Sequence, residues 1–321
     1  MPHLDYSFVK SIADGGVEAV TLNELRRTCI PGSHVDAILR EALLDRPRQA
    51  EELPRRIVDA ARDGHLILSS FPDQRYHGAR LLVRSEFLIL GEVGAGRLDV
   101  DDTDGYVSKT VRRLAAVQPA SVMYRCLDYN AEEFGFLPSG MLDDGRPTRV
   151  RGVQRLLEQP ALLDLDCRIV QGLVEAAVPV QVLVPFIQFP EQFAAIATAV
   201  RTRLSHSLRD PRIGMMVEVP ANLFQLDQFS AAEFFVFGPG DLLKHLFGGV
   251  ERNDALYRLV STSVLAEPVR HAMATIEAVG HKQVFFAKTL IALAGRLRLS
   301  TGPGTVVRNV YTPDQLLDPA P

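Results

Sequence analysis

The sequence predicts an α/β chain folded as a (β/α)8 TIM-type barrel with an N-terminal, mainly helical extension, and three observations lead there. Short runs rich in β-branched and aromatic residues alternate with helix-spaced stretches from about residue 80 onward. Eight such runs can be counted over roughly 230 residues, the number and size of a closed barrel. Neither G-x-G-x-x-G nor G-x-x-x-x-G-K-[ST] occurs, so the main reason to prefer an open doubly wound sheet, the runner-up, is missing.

In chain order, residues 1–77 read as the extension. VDAILREALL (35–44) and LPRRIVDAARDG (53–64) carry apolar residues at helical spacing, and Gly64 is a helix stop. The barrel is expected over 78–312, followed by a Pro-rich tail at 313–321. Its predicted strands are ARLLVRSEFLIL, ASVMYRCL, TRVRGV (148–153), VQVLVPF, IGMMVEV, EFFVFG, KQVFFA and RLRLS. Helical stretches between them imply parallel strands joined by crossovers.

Composition excludes several functions. With 321 residues, 47% of them hydrophobic, the chain can bury a large core. Against 39 acidic residues there are 35 Lys and Arg, a net charge of −4, so no basic field invites nucleic acid or an anionic membrane. No apolar run approaches the roughly 20 residues that span a bilayer, and MPHLDYSFVK lacks the layout of a secretion signal, so a cytoplasmic location is expected. Cys29, Cys126 and Cys167 are too few and too far apart for a disulfide framework or a thiolate metal site and read as reduced thiols.

Active sites of such barrels are built from the C-terminal ends of the strands. The polar residues there are Arg84 after LLV, Arg125 and Asp128 after VMY, Arg151 in TRVRG, Glu218 after MMV, Asp241 after FFVFGPG and Arg252 in GGVERND. Singly, each is an ordinary rim residue. Together they set four arginines and carboxylates at one mouth of an acidic protein. Guanidinium forks match phosphate and carboxylate oxygens, and carboxylates hold Mg²⁺ that bridges ligand oxygens, so the implied ligand is a small, doubly anionic, metal-chelating molecule.

The run IGMMVEVPANLFQLDQFSAAEFFVFGPGDLLKHLFGGVERND resembles the phosphoenolpyruvate synthase segment in which M-x-E-[VI]-P-[SA]-N precedes S-I-G-[ST]-N-D-L-T-Q and G-x-D-R. VRSEF, YRCLDYNAEEFGF, RGVQRLL, VLVPFIQFPEQF and LSTGPGTVVRNV resemble, in order, further motifs of that family's phosphoenolpyruvate/pyruvate-binding barrel. The order and spacing are closer to phosphoenolpyruvate synthase than to its relatives pyruvate phosphate dikinase and enzyme I. The resemblance implies that Arg84, Arg125 and Arg151 hold the phosphate and carboxylate of phosphoenolpyruvate or a like ligand, with Asp128, Gly240, Lys244 and Arg252 also on the substrate. It implies that Glu218 and Asp241 bind Mg²⁺ and that family members pair as dimers through this barrel.

Three departures redirect the expectation. First, residues 1–77 cannot contain the family's ATP-grasp and swivelling phosphohistidine domains, so a phosphoryl carrier or ATP-grasp protein would be a separate partner. GSHVDAILREAL (32–43) matches the phosphohistidine motif only at His34, Arg40 and Glu41 and reads as an ordinary helix start capped by Ser33. Second, where the family has the cysteine that protonates the enolate, this chain has Phe285 or Phe286, and Lys288 stands near the following acid or amide. Phenylalanine delivers no proton, so Lys288 joins Arg84 and Arg125 as a candidate catalytic residue; its bland alternative is an ion pair with Glu218 or Asp241. Third, N-D-L-T-Q becomes Gly240, Asp241, Leu242, Leu243, Lys244, which keeps the acid and loses the ligand-binding asparagine.

The expected function is that of an Mg²⁺-dependent enzyme acting on phosphoenolpyruvate or a related enol phosphate or 2-oxo acid through a metal-stabilised enolate, with phosphoryl transfer favoured. Two alternatives stay open: aldolase or lyase chemistry in the same barrel, or a catalytically reduced ligand-binding accessory subunit.

Overall fold

The computed structural model describes residues 47–69, 72–86, 88–89, 103–128, 150–205, 210–246, 264–280, 283–287 and 306–311. Eight parallel strands close into a barrel in chain order: β1 Leu66–Ser69, β2 Arg80–Arg84, β3 Ser121–Arg125, β4 Val180–Val184, β5 Arg212–Val217, β6 Phe234–Phe237, β7 Gln283–Ala287 and β8 Val306–Tyr311. β1 pairs with β8 through Leu66↔Val310 and Ile67↔Tyr311, which closes the ring. The predicted fold class is the one observed.

β2 to β6 read as apolar runs because both of their faces are largely buried, one toward the barrel axis and the other under helices. Leu82, Met123, Leu183, Met216, Phe234 and Phe285 form one cluster, which fills the barrel interior. The intervening residues, among them Val83, Tyr124, Val184, Val217, Phe237 and Phe286, belong to a second cluster shared with helix residues such as Leu163 and Ile196. This period-2 alternation is what aims Arg84, Arg125 and Glu218, on the parity of Leu82, Met123 and Met216, to the inner side at the strands' ends.

The described helices are α1 Pro47–Arg62, α2 Thr103–Ala116, α3 Gly152–Glu158, α4 Pro160–Glu175, α5 Pro190–Arg203, α6 Pro239–Leu246 and α7 Ala266–Ala278. α1 buries Leu53, Ile57 and Ala60 at helical spacing and ends two residues before Gly64, as expected. No helix among the described residues is long and apolar enough to cross a membrane. Cys126 and Cys167 are free, buried thiols.

Two strand assignments are corrected. β1, Leu66–Ser69, falls inside the segment read as a helical extension: at four residues, LILS is too short to carry a periodic signal. TRVRGV is not a strand where it is described; Arg151 is the extended N-cap residue of α3, and Gly152 already starts the helix. Its β-branched residues mimic a strand, but Gly152 adopts φ 55°, a left-handed conformation no strand interior uses. The eighth strand is Val306–Tyr311, which overlaps the end of the segment LSTGPGTVVRNV; the predicted RLRLS lies outside the described residues. The stretch 1–46, which holds Cys29, His34 and the helix predicted at 35–44, lies outside them too, as does the tail 313–321.

Candidate active site at the barrel mouth

Arg84 and Arg125 end β2 and β3 and are direct register partners, which sets two guanidinium groups side by side. Glu86 sits between them. Its Oε1 accepts from Arg84 Nε at 2.7 Å and from the Arg125 guanidinium, and the carboxylate is fully buried. One acid thus offsets the repulsion of two adjacent cations.

Arg125 is itself buried, and its guanidinium also reaches Asp128 Oδ2 at 3.3 Å. Burial works against its charge, but Glu86, Asp128 and Glu218 outweigh burial and raise its pKa. Asp128 is held from the other side by Arg151, whose Nε donates to Oδ1 at 3.0 Å and whose Nη2 donates to Oδ2 at 2.8 Å. This is a two-pronged pair. Burial would raise the Asp128 pKa, yet Arg125 and Arg151 lower it, so Asp128 is a carboxylate.

Arg151 comes from the loop before α3 and lies over the Phe186 ring, with Cζ 3.8 Å from the ring centroid. The close fit is set by Gly152: a Cβ there would stand 2.4 Å from Phe186 Cβ and 3.0 Å from the Pro185 carbonyl oxygen. Phe186, just past β4, has φ 51°, and its N–H donates to Glu218 Oε1 at 2.7 Å. A strained residue therefore joins the arginine side of the mouth to its acidic side.

Glu218 directly follows β5 and is fully buried, and its Oε2 has no hydrogen-bond partner. Burial first, then the Asp241 carboxylate, push its pKa up to about 8, against the opposing pull of Arg125. Asp241 lies in the first turn of α6, beyond β6. Gly238 keeps the space at this edge, since a Cβ on it would lie 3.2 Å from Glu218 Cβ and 3.3 Å from Oε2. Two acids that repel one another, one with a bare buried oxygen, fit a divalent cation. Among the described residues no group of three or more His, Cys, Asp or Glu could hold a metal, and Glu218 and Asp241 are the two carboxylates here that could serve as donors to one. That donor set is the usual one for Mg²⁺ at phosphate sites.

The structure therefore brings Arg84, Arg125, Asp128, Arg151, Glu218 and Asp241 to the C-terminal ends of neighbouring strands. Gly240 lies next to Asp241 in α6, and Lys244 is exposed one turn further on. Arg252 and Lys288 lie outside the described residues. Phe285 packs in the barrel interior beside Phe234, and Phe286 points to the helix layer against Phe237, so neither position supplies an acid. Glu86 was missed by sequence reasoning. The signal was its place in VRSEF, two residues past the strand-ending Arg84.

A family profile described as "PEP-utilising enzyme, PEP-binding domain" matches residues 75–284, well over half of the chain. The probable phosphoenolpyruvate synthase of Pyrococcus abyssi is 28% identical over 151 residues, which cover 45% of this chain and 18% of that protein. The phosphoenolpyruvate synthase of Pyrococcus furiosus gives the same identity and coverage. The probable phosphoenolpyruvate synthase of Methanocaldococcus jannaschii is 24% identical over 188 residues, 54% of this chain and 16% of that one. The chain thus spans less than a fifth of the length of the curated relatives it matches. A closed parallel barrel, arginines and acids gathered at its mouth and the match across residues 75–284 lead to one assignment: the chain belongs to the PEP-utilising enzyme family, as its PEP-binding domain.

Proposed function

We propose that the barrel mouth binds phosphoenolpyruvate, or a related enol phosphate or 2-oxo acid, together with Mg²⁺, and that the chain acts in phosphoryl transfer through an enolate. The observation that carries this reading is the division of the mouth. Three arginines on fixed strands and loops face anionic oxygens, beside an acid pair with a bare buried oxygen. Glu218 and Asp241 would hold the metal, which when bound supplies charge neutralisation to ligand oxygens and to a developing enolate. Arg84, Arg125 and Arg151 orient the phosphate and carboxylate of the ligand, and the burial of Arg125 keeps water from screening its charge.

In the favoured reaction the bond between phosphorus and the enol oxygen breaks. The phosphoryl group passes to a nucleophile on an acceptor, and the electron pair stays on oxygen as pyruvate enolate. The acceptor would be a separate phosphoryl-carrier or ATP-grasp protein, and the reading places the chain in the cytoplasm as a homodimer. Arg252 and Lys288 are proposed to complete the site, with Lys288 as a candidate acid.

The burial of Phe285 and Phe286 favours a second reading, in which the enolate is not simply protonated from β7 but attacks or is released from carbon, as in an aldolase or lyase. Incubation with phosphoenolpyruvate labelled on phosphorus separates the two, since only phosphoryl transfer moves the label to an acceptor. The binding claim itself is tested by thermal unfolding. Phosphoenolpyruvate, pyruvate or oxalate with Mg²⁺ should raise Tm, and Glu218→Ala should abolish the rise. No shift with any of the three would refute the reading.

A further inference from the structure

The carboxylate of Asp166 lies on the opposite side of β3 from the mouth, in α4, and both of its oxygens are engaged by the strand end that carries the site. Oδ1 accepts from the Tyr124 hydroxyl at 2.7 Å, and Oδ2 accepts from the Leu127 N–H at 2.8 Å. Tyr124 immediately precedes Arg125, and Leu127 immediately precedes Asp128. Strand alternation turns Tyr124 outward where Arg125 turns inward. The one carboxylate therefore ties down the residue before each of the two charged groups that meet Glu86 and Arg151 in the mouth.

We propose that Asp166 is a positioning residue of the site, acting through Tyr124 and Leu127 to fix where Arg125 and Asp128 point. The role rests on the anion-binding reading given above. A buried carboxylate against the outer face of a strand is costly, and packing alone would be served by leucine at this place in α4, whose neighbours Leu165 and Ile169 are buried and apolar. The two hydrogen bonds are what the acid adds. They act where β3 has left the sheet: Cys126 N still bonds the Leu183 carbonyl of β4, whereas Leu127 N bonds only to Asp166 among the contacts the structure gives it. Without Asp166 the turn from Arg125 to Asp128 would lose its outer anchor.

The groups that face Asp166 make the hold sensitive to pH. Tyr124, Cys126 and Cys167 surround it, and Glu86 acts on it from the mouth side. Burial first, with Glu86 adding to it, pushes the Asp166 pKa up to about 7, while the Leu127 and Tyr124 hydrogen bonds oppose the rise. Above that value the carboxylate accepts both bonds. Below it, the proton occupies one oxygen and the Tyr124 hydroxyl must turn. The anchor is firmest in its ionised form.

The test uses the full chain and four proteins: the unaltered chain, Asp166→Ala, Asp166→Asn and Tyr124→Phe. Two readouts are taken, exchange of the Leu127 amide by NMR without ligand, and oxalate affinity with Mg²⁺ by calorimetry between pH 6 and 9. Oxalate is fully ionised across this range, so its own titration does not enter. Asp166→Ala should speed Leu127 exchange while the Val122 and Tyr124 amides of β3 keep their protection, and should weaken oxalate by about tenfold or more. Asp166→Asn should restore the low-pH affinity and remove the part of the rise centred near pH 7, while the part near pH 8 that follows Glu218 remains. Tyr124→Phe, which keeps the ring and therefore the packing, should give a smaller loss of the same kind.

Unchanged Leu127 exchange in Asp166→Ala, or faster exchange with unchanged oxalate affinity, would overturn the positioning role and leave the anion site intact. If Asp166→Ala does not fold, Tyr124→Phe and Asp166→Asn decide, and unaltered affinity and pH profile in both overturns the role. An unaltered chain that binds neither oxalate nor phosphoenolpyruvate would overturn the proposed function itself, and this role with it.

Discussion

The mouth of the barrel has two sides built on opposite electrostatic plans. On the β2–β3 side each cation has an acid: Glu86 serves Arg84 and Arg125, and Asp128 serves Arg125 and Arg151. On the β5–β6 side two acids face one another, and Glu218 keeps one oxygen unpartnered although it is fully buried. The first side is preorganised by its own ion pairs, so an incoming anion meets guanidinium groups already aimed. The second is complete only with a proton or a cation. Phe186 couples them, since its ring carries Arg151 and its N–H fixes Glu218.

The largest way to break the contrast is to unbalance the matched side. Arg125→Ala takes one of two cations from each of two buried acids, Glu86 and Asp128, which keep only Arg84 and Arg151, and should cost about 3 kcal/mol of stability, read by urea unfolding. Glu86→Gln in the same background should recover less than half of the loss, because it removes a buried charge that has lost one cation but also releases Arg84 from its partner.

The acidic side should respond in the opposite sense. A raised pKa means that the folded state prefers the proton. The stability this contributes is fully present below the ordinary carboxylate range and is lost as pH rises through about 8. Without metal, Tm should therefore fall between about pH 5 and pH 8 and level off above. Glu218→Gln, which keeps the shape without the charge, should reduce that fall and yet remove the Mg²⁺-dependent gain. A Glu218→Gln protein with the unaltered pH slope would place the strain elsewhere.

Smaller effects sharpen the geometry. Gly238→Ala sets a methyl at 3.3 Å from Glu218 Oε2 and, if Glu218 holds Mg²⁺ as proposed, should weaken it by roughly tenfold with little change in fold. Arg151→Lys retains charge but loses the two-pronged bond to Asp128 and the face over Phe186. It should lower ligand affinity by about tenfold and leave stability within ~1 kcal/mol, measured by calorimetry and unfolding.

Much of the mouth was legible in the sequence, because β2 and β3 are apolar runs that end in a charged residue, β5 is one that is followed by a charged residue, and strand parity carries those residues inward. The runs LLV, VMY and MMV locate Arg84, Arg125 and Glu218 without any structure. β1 was hidden because LILS is only four residues long and follows a helix. β8 was hidden by Arg308 and Asn309, which interrupt VVRNVY and leave it only partly buried. Arg151 was placed on a strand because Val150 and Val153 flank it, whereas Gly152 beside Phe186 makes it a helix start. Glu86 was missed for a different reason. VRSEF places it just past Arg84, but its role as the shared partner comes from the pairing of Arg84 with Arg125 across β2 and β3, which joins residues 41 apart. The same holds for Asp166, whose partners stand 42 and 39 residues away.

The central claim is that Glu218 and Asp241 form the cation-binding side of this mouth. Calorimetric titration of Mg²⁺ with oxalate at pH 7, in two buffers of different ionisation enthalpy, tests it most directly. Because Glu218 holds its proton up to about pH 8, binding should release about one proton per metal, and Glu218→Gln should show neither the binding nor the release. Tight Mg²⁺ binding without proton release, or equal binding by Glu218→Gln, would contradict the account.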